Sequence, residues 1–545
     1  MASSLSPPKV PMELHVGNRQ KLLESLRQHL LQSSLLLRGF VLLQGGQEQT
    51  RHDTDHLEPF RQESYFAYLF GVREPGFYGA IDVESGESIL FAPRLPDEYA
   101  VWLGEIKPLS YLKEHYMVST ACFTDEIASV LQERYKGSGK PLLFLLHGLN
   151  TDSNNFSTPA DFEVVNALLV VLIKKWISIV ICFHWCHIIS YPIMLLHLIS
   201  VAPMLFVVIR DDMVVLAHFF LWKLEIALIQ YANDISSEAH VEIMRKAKVG
   251  MKEYQLESMF LHHTYMYGGC RHCSYTCICA TGDNSAVLHY GHAAAPNDKT
   301  LEDGGMALLD MGNMTANLWY VNSHFMLNLY FSVQINRKFT IDQSLIYNAV
   351  LDAHNAVISA MKPGVFWVDM HILAERVILE ALKKGQVVVG DVDEMVPARL
   401  GAVFMPHGLG HFLGLDTHDP GGYIKGLERR KEPGLKSLRT VRELQEGMVI
   451  TVEPGCYFIN ALLCPAMNSP ETSKFINQEV IKRFNGFGGV RIESDVLVTA
   501  AGCYNMTKCP REIKEIEAVM AGAPWPIKKT LSNHVNENSS LSVSS

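Results

Sequence analysis

Gly401-Ala-Val-Phe-Met-Pro-His407-Gly-Leu-Gly-His411-Phe-Leu-Gly-Leu-Asp-Thr-His418-Asp419 gathers three imidazoles and four glycines into one short stretch. Downstream lie Thr451-Val-Glu453-Pro-Gly455 and Gly489-Val-Arg-Ile-Glu493-Ser-Asp495, and upstream lies Gly305-Met-Ala-Leu-Leu-Asp310-Met-Gly312. Each carboxylate follows or sits within a short apolar run of the kind that forms a buried strand. A charge placed there is hard to read as a solvated surface group. Carboxylates and a histidine converging from separate strands suit a hard divalent cation such as Mn²⁺, or a borderline ion such as Zn²⁺. Four unrelated buried charges, each in a good strand context, would be a large coincidence.

Asp310, His411, Glu453 and Glu493 together form a ligand set in which carboxylates bridge two metals. Two ions held roughly 3.5–4 Å apart clamp a water as nucleophile and polarise a carbonyl. His289, His407 and His418 are candidates to hydrogen-bond the substrate or a tetrahedral intermediate. Arg439 offers a guanidinium fork shaped for a substrate carboxylate. Glu453 is also placed to shuttle a proton.

The chain has 545 residues, enough for two to four domains. Its net charge of −10 argues against nucleic acid as a partner. Eleven cysteines, four of them in 270–279, do not form a secreted disulfide framework, and a reducing compartment is expected. Met1-Ala-Ser-Ser-Leu-Ser-Pro-Pro-Lys9 lacks the apolar region of a signal peptide and is not read as one.

Apolar spacing predicts a helix over Asn18–Leu37, a strand at Phe40–Leu43, hairpin strands at Tyr78–Val83 and Glu87–Phe91, and a strand at Pro141–Leu146. The aromatic run Phe60–Gly71 reads as buried. A helix is expected to open at Ser236, with Ile243, Met244, Ala247 and Val249 inward. Cys270-Arg-His272-Cys273 invites a zinc reading, but alternation through Ser274–Cys279 favours a strand with Tyr275, Cys277 and Cys279 on one face. Ser285–His292 reads as another strand. Thr340-Ile-Asp-Gln343 resembles a capping box opening a long helix that ends at Met361-Lys-Pro-Gly364. A second helix runs from His371 to Lys384 and closes at Gly385.

Two stretches break this style. Trp176 to Ile209 holds 34 residues without Asp, Glu, Lys or Arg, long enough to span a bilayer. A transmembrane hairpin, a long buried segment and thymine-rich untranslated sequence read in frame are the three readings of 166–222. The second stretch, 313–336, is apolar and without an acid.

Met405-Pro-His-Gly-Leu-Gly-His-Phe-Leu-Gly414, Val452-Glu-Pro-Gly455, Gly488-Gly-Val-Arg-Ile-Glu493 and His289-Tyr-Gly-His-Ala293 closely resemble the prolidases, Xaa-Pro dipeptidases of the pita-bread metallopeptidases. The resemblance covers 10–165, 223–312 and 337–520. Leu42-Leu-Gln-Gly-Gly46 and Phe60-Arg-Gln-Glu-Ser64 resemble that family's aminopeptidase P-type N-terminal domain. It implies an α/β domain over 1–165 and an α+β pita-bread catalytic domain over 223–520, with 166–222 as an anomalous insert, 313–336 as a disrupted segment and 521–545 as a disordered tail. It also implies a cytosolic homodimer using two Mn²⁺ ions, with other divalent metals as alternatives, and small peptide substrates ending in proline or hydroxyproline. Asp310, His411, Glu453 and Glu493 match the metal positions. His289, His407, His418 and Arg439 match the substrate positions, with Tyr275 nearby.

One departure stands out. The family places a second, bridging aspartate eleven residues after the first, and that position here is Val321. Asn322 and His324 are not equivalent ligands. Two apolar replacements with sharp borders share one explanation, retained introns or wrong exon boundaries. The expectation is a prolidase impaired by the missing bridge. The alternatives are a catalytically inactive pita-bread scaffold, membrane-tethered through 166–222 if that stretch is translated and inserted, and an Xaa-Pro aminopeptidase, against which Arg439 weighs.

Overall fold

The structure is a computed structural model that describes residues 10–34, 36–136, 141–162, 205–209, 223–314, 330–334, 338–424 and 426–526. Val321, Asn322 and His324, the remainder of 166–222 beyond 205–209, and 527–545 lie outside the described residues.

The N-terminal unit is built on a six-stranded sheet. Its order is Thr120–Phe123, Ser88–Ala92, Tyr78–Asp82, Phe40–Gln44, Leu142–Leu146, Leu205–Ile209. The central strand Phe40–Gln44 runs antiparallel to Tyr78–Asp82 and parallel to Leu142–Leu146. Its near-continuous apolar sequence is explained by burial on both faces. Val41 and Leu43 join Leu22 and Leu26 of the first helix, whereas Phe40 and Leu42 join Ile127 and Leu131 on the other side. The strand Leu205–Ile209 extends this sheet by pairing in parallel with Leu142–Leu146. This part of the charge-free run is thus seated at a sheet edge. No helix among the described residues is long and apolar enough to cross a membrane.

The first helix spans Glu13–Gln32 rather than Asn18–Leu37. It starts earlier because Leu14 is buried like Leu22, Leu23, Leu26 and Leu30. It stops earlier because Ser34, at φ 54°, turns the chain and leaves Leu36 in solvent. The aromatic run forms the buried helix Ser64–Phe70, capped by the Glu63 carboxylate on the Phe66 N–H at 2.7 Å and closed by Gly71 at φ 67°.

The second unit packs helices Lys223–Lys246, Glu253–Gly268, Ile341–Ala360 and Trp367–Lys384 around small antiparallel sheets. Thr340 caps Ile341–Ala360 as expected, with its hydroxyl on the Gln343 N–H and the Gln343 side chain returning to the Thr340 N–H. Ser236 does not open a helix. It lies in the middle of Lys223–Lys246, buried, because Tyr231, Ala232 and Ile235 continue the inward face before it. Val249 falls beyond that helix and is exposed. The strand expected at Ser274–Cys279 forms only from Ile278, and Ser285–His292 is a 3₁₀ turn (Gly282–Ala286) followed by loop. Gly282 and Gly291, at positive φ, break the extension that alternation suggested. The strand Tyr330–Gln334, inside 313–336, pairs antiparallel with Met306–Asp310.

The two units are joined by packing. Leu415 of the histidine-glycine stretch sits in the N-terminal core, and Val10 and Leu14 pack against Leu228, Leu413 and Val449. The Ser64 hydroxyl donates to Asp416 at 2.9 Å.

Candidate active site

The two glutamates are set by one ladder. Val449–Val452 pairs antiparallel with Ser494–Thr499, Thr451 opposite Asp495 and Val452 opposite Ser494. Continuing that register puts Glu453 across from Glu493, just past the last paired rung. Facing carboxylates at such a position repel and call for a cation. The histidine arrives on a third segment. Thr451 N–H donates to His411 O at 2.9 Å, and Glu453 N–H to Leu409 O at 2.8 Å, so Leu409–Leu413 lies along the glutamate strand. That approach requires glycine at 410, where a Cβ would stand 2.0 Å from the Thr451 carbonyl oxygen.

His411, Glu453 and Glu493 each bring a ligand atom to within 4.8 Å of the others. Among the described residues this is the one cluster of three or more potential metal ligands, so the Cys270–Cys279 region forms none. Burial pushes the Glu453 carboxyl up to about 7 and the Glu493 carboxyl well above its usual range. Both Glu493 oxygens are buried and without a hydrogen-bond partner among the described residues. The His411 Nδ1–H donates to the Phe412 carbonyl at 2.8 Å, which leaves the lone pair on Nε2, 3.5 Å from Glu453. Burial lowers the His411 ring to about 3, so it is the neutral imidazole that a metal needs. An orphaned buried carboxylate, a facing glutamate and a lone pair fit a divalent cation.

Asp310 takes a different setting. It ends the buried strand Met306–Asp310, and its two oxygens meet the Tyr275 hydroxyl and the Arg491 guanidinium, the latter at 3.2 Å. It nonetheless adds to the charge felt by Glu453 and Glu493. Tyr275, expected at the substrate, is thus a partner of Asp310. The described donors therefore suffice for one ion, and for a second they supply only Asp310.

The remaining histidines surround this centre. The His407 Nδ1–H donates to the Gly408 carbonyl at 2.8 Å, and its Nε2 accepts from the Tyr457 hydroxyl at 3.1 Å. Burial holds that ring at about 3. His418 lies against His411 edge-on, ring centroids 4.6 Å apart, and burial brings it to about 2, with His411, Arg439 and His289 adding. His289 is at the exposed rim, lowered by partial desolvation and then by Arg491 and Arg439. Arg439 ion-pairs with Asp152 of the N-terminal unit at 3.4 Å.

Arg491, Tyr457 and Asp152 are site residues that the sequence reading did not assign. Arg491 was within reach. It stands two positions before Glu493 on an extended segment, hence on the same face. Tyr457 follows Glu453 across a Pro-Gly turn, and its hydroxyl receives Arg491 at 2.7 Å.

Residues 227–500 match the model of metallopeptidase family M24, and 15–144 that of the aminopeptidase P N-terminal domain. The chain is 48% identical over 515 residues to the Xaa-Pro dipeptidase of Homo sapiens, covering 94% of each. It is 48% identical over 514 residues to that of Mus musculus, again 94% of each. Among solved structures, aminopeptidase PepP of Pseudomonas aeruginosa superposes with a TM-score of 0.69 at 25% identity, covering 94% of this chain and 98% of that one. Zinc-substituted aminopeptidase P of Escherichia coli with product bound gives 0.69 at 25% identity, over 94% and 99%. With the pita-bread domain following an aminopeptidase P-type N-terminal domain, this chain belongs to the metallopeptidase family M24, among the relatives of the Xaa-Pro dipeptidases.

Proposed function

We propose that this protein is a metal-dependent Xaa-Pro dipeptidase that hydrolyses dipeptides with a C-terminal proline. The observation that carries the reading is the pair of facing glutamates with His411, in which Glu493 is buried with neither oxygen hydrogen-bonded among the described residues. His411, Glu453 and Glu493 hold a divalent cation, and Asp310 contributes to a second. Mn²⁺ is the preferred ion, because the donor set is mostly carboxylate oxygen. Such ions polarise a carbonyl and activate a water. The chain's own residues do the rest. Arg439 binds the terminal carboxylate of the dipeptide, which sets a dipeptidase apart from an aminopeptidase acting on longer chains. His289, His407 and His418, held neutral, hydrogen-bond the substrate. Glu453 also holds and passes a proton.

The matches over 15–144 and 227–500 support a division into units 1–165 and 223–520. Cytoplasmic placement is supported by the free cysteines among the described residues. A homodimer is supported by the exposed apolar run Tyr99, Val101, Trp102 and Leu103, with Trp102 83% exposed. Val321 at the bridging position lowers activity in this form.

Purified protein with Mn²⁺ is expected to release proline from Gly-Pro, and Glu493→Ala to reduce the rate by at least about a hundredfold. Activity surviving that change would overturn the metal assignment. A transcript form restoring aspartate at position 321 is expected to raise the rate by orders of magnitude.

A further inference from the structure

We propose that Asp152, in the N-terminal unit, is a positioning residue for Arg439 and thereby sets the preference for a free C-terminal carboxylate. The inference rests on Arg439 as the carboxylate-binding group.

Asp152 sits at the tip of a turn closed by the bridge between Leu149 and Phe156. The Asn150 side-chain oxygen accepts the N–H groups of Asp152 at 2.9 Å and Ser153 at 3.1 Å, so the tip is fixed. The Asp152 side chain is only 12% exposed, and its two oxygens go to different arginines. One accepts Arg429 Nη2 at 2.9 Å, and the other faces Arg439 Nη1 at 3.4 Å. Arg429 is itself tied down. It donates to the Thr151 and Leu438 carbonyls and lies over the Tyr423 ring, 4.4 Å from its centroid. The Tyr423 hydroxyl also donates to the Leu438 carbonyl, at 2.8 Å. The peptide unit before Arg439 is thus gripped by two donors. The one after it is crowded by Gly422, where a Cβ would stand 1.9 Å from the Arg439 carbonyl oxygen.

The electrostatics explain why such a grip is needed. The positive charge of Arg439 is felt by Glu453. A guanidinium with no counterweight would be drawn onto that buried carboxylate and lost to substrate. Asp152 supplies a counterweight, its second oxygen 3.4 Å from Arg439 Nη1. The reading of a substrate carboxylate by the catalytic unit is therefore made to depend on the N-terminal unit.

The test uses the full chain loaded with Mn²⁺. Calorimetry measures binding of L-proline and of L-prolinamide, which lacks the carboxylate. Steady-state kinetics on Gly-Pro give KM and kcat for wild type, Asp152→Asn, Asp152→Glu and Arg439→Ala. Asp152→Asn is expected to weaken L-proline binding and raise KM about tenfold, with kcat within about twofold and prolinamide binding unchanged. Asp152→Glu restores part of the loss. Should Asp152→Asn fail to fold, Asp152→Glu decides, since it must weaken proline relative to prolinamide against wild type. If either folded variant moves proline and prolinamide alike, or neither, while Arg439→Ala abolishes their discrimination, the role of Asp152 is refuted and that of Arg439 stands. If Arg439→Ala leaves discrimination intact, the reading of Arg439 fails and this inference falls with it.

Discussion

Gly410 shows how a residue without a side chain sets the chemistry. Its Cα faces the Thr451 carbonyl so closely that a methyl group would stand 2.0 Å from the oxygen. Backbone cannot yield as a flexible side chain would. Gly410→Ala should therefore push His411 away from the glutamates. Overpacking of this kind costs about 1–3 kcal/mol. The expected result is a lower unfolding midpoint together with metal affinity reduced at least about tenfold, read by thermal melts and metal titration. His15 gives a residue-scale prediction of another kind. It is buried, donates through Nδ1 to the Tyr68 carbonyl at 2.8 Å, and is lowered to about 4 by burial, with Arg19 and Arg73 adding. The folded state thus refuses a proton that the unfolded chain accepts below about 6.5. The stability that this group contributes is complete above that pH and is lost as pH drops from about 6.5 through 4, by about 3 kcal/mol. His15→Gln is expected to flatten the pH dependence of denaturant unfolding over that window. An unchanged slope would show that His15 is not among the groups responsible.

At the scale of elements, periodic stretches were the most legible. The helix Ile341–Ala360 was readable because its cap, its apolar period and its terminating Pro363-Gly364 agree. Thr340→Ala removes the cap bond to Gln343 and should cost about 1 kcal/mol, measured by denaturant unfolding. Ser274–Cys279 and Ser285–His292 were misread for a common reason. Alternating polarity there reflects irregular chain packed between strands. Burial itself does not alternate there, for Cys277, Ile278 and Cys279 are buried in a row. Ser236 misled through composition, since Ser and Glu near an apolar run mark helix starts only where the preceding residues do not already continue the inward face. The ligand-bearing segments were legible because each pairs a short apolar run with a carboxylate or histidine that solvent cannot explain. Asp152 was not legible. Its role arises from a turn in one unit meeting two arginines of another, and no local pattern announces that meeting.

For the whole molecule, the main expectation concerns metal and stability. The donors His411, Glu453 and Glu493 come from three segments brought together only in the folded chain. An ion bound there stabilises the native state by about 2.7 kcal/mol when free metal is a hundred times its dissociation constant. Chelation should thus lower the unfolding midpoint, and Mn²⁺ should restore it in a concentration-dependent way. A midpoint indifferent to chelator would argue that no ion is held by these residues. The antiparallel register that sets Thr451 opposite Asp495 has a consequence beyond the two glutamates it positions. Side chains on a strand alternate faces, so a slip of one residue would turn one of the facing carboxylates away from the other. Metal affinity is therefore a gauge of strand alignment. Substitutions at Ile450 or Val496, which supply no ligand atom, should register as altered ion binding before they register as lost fold.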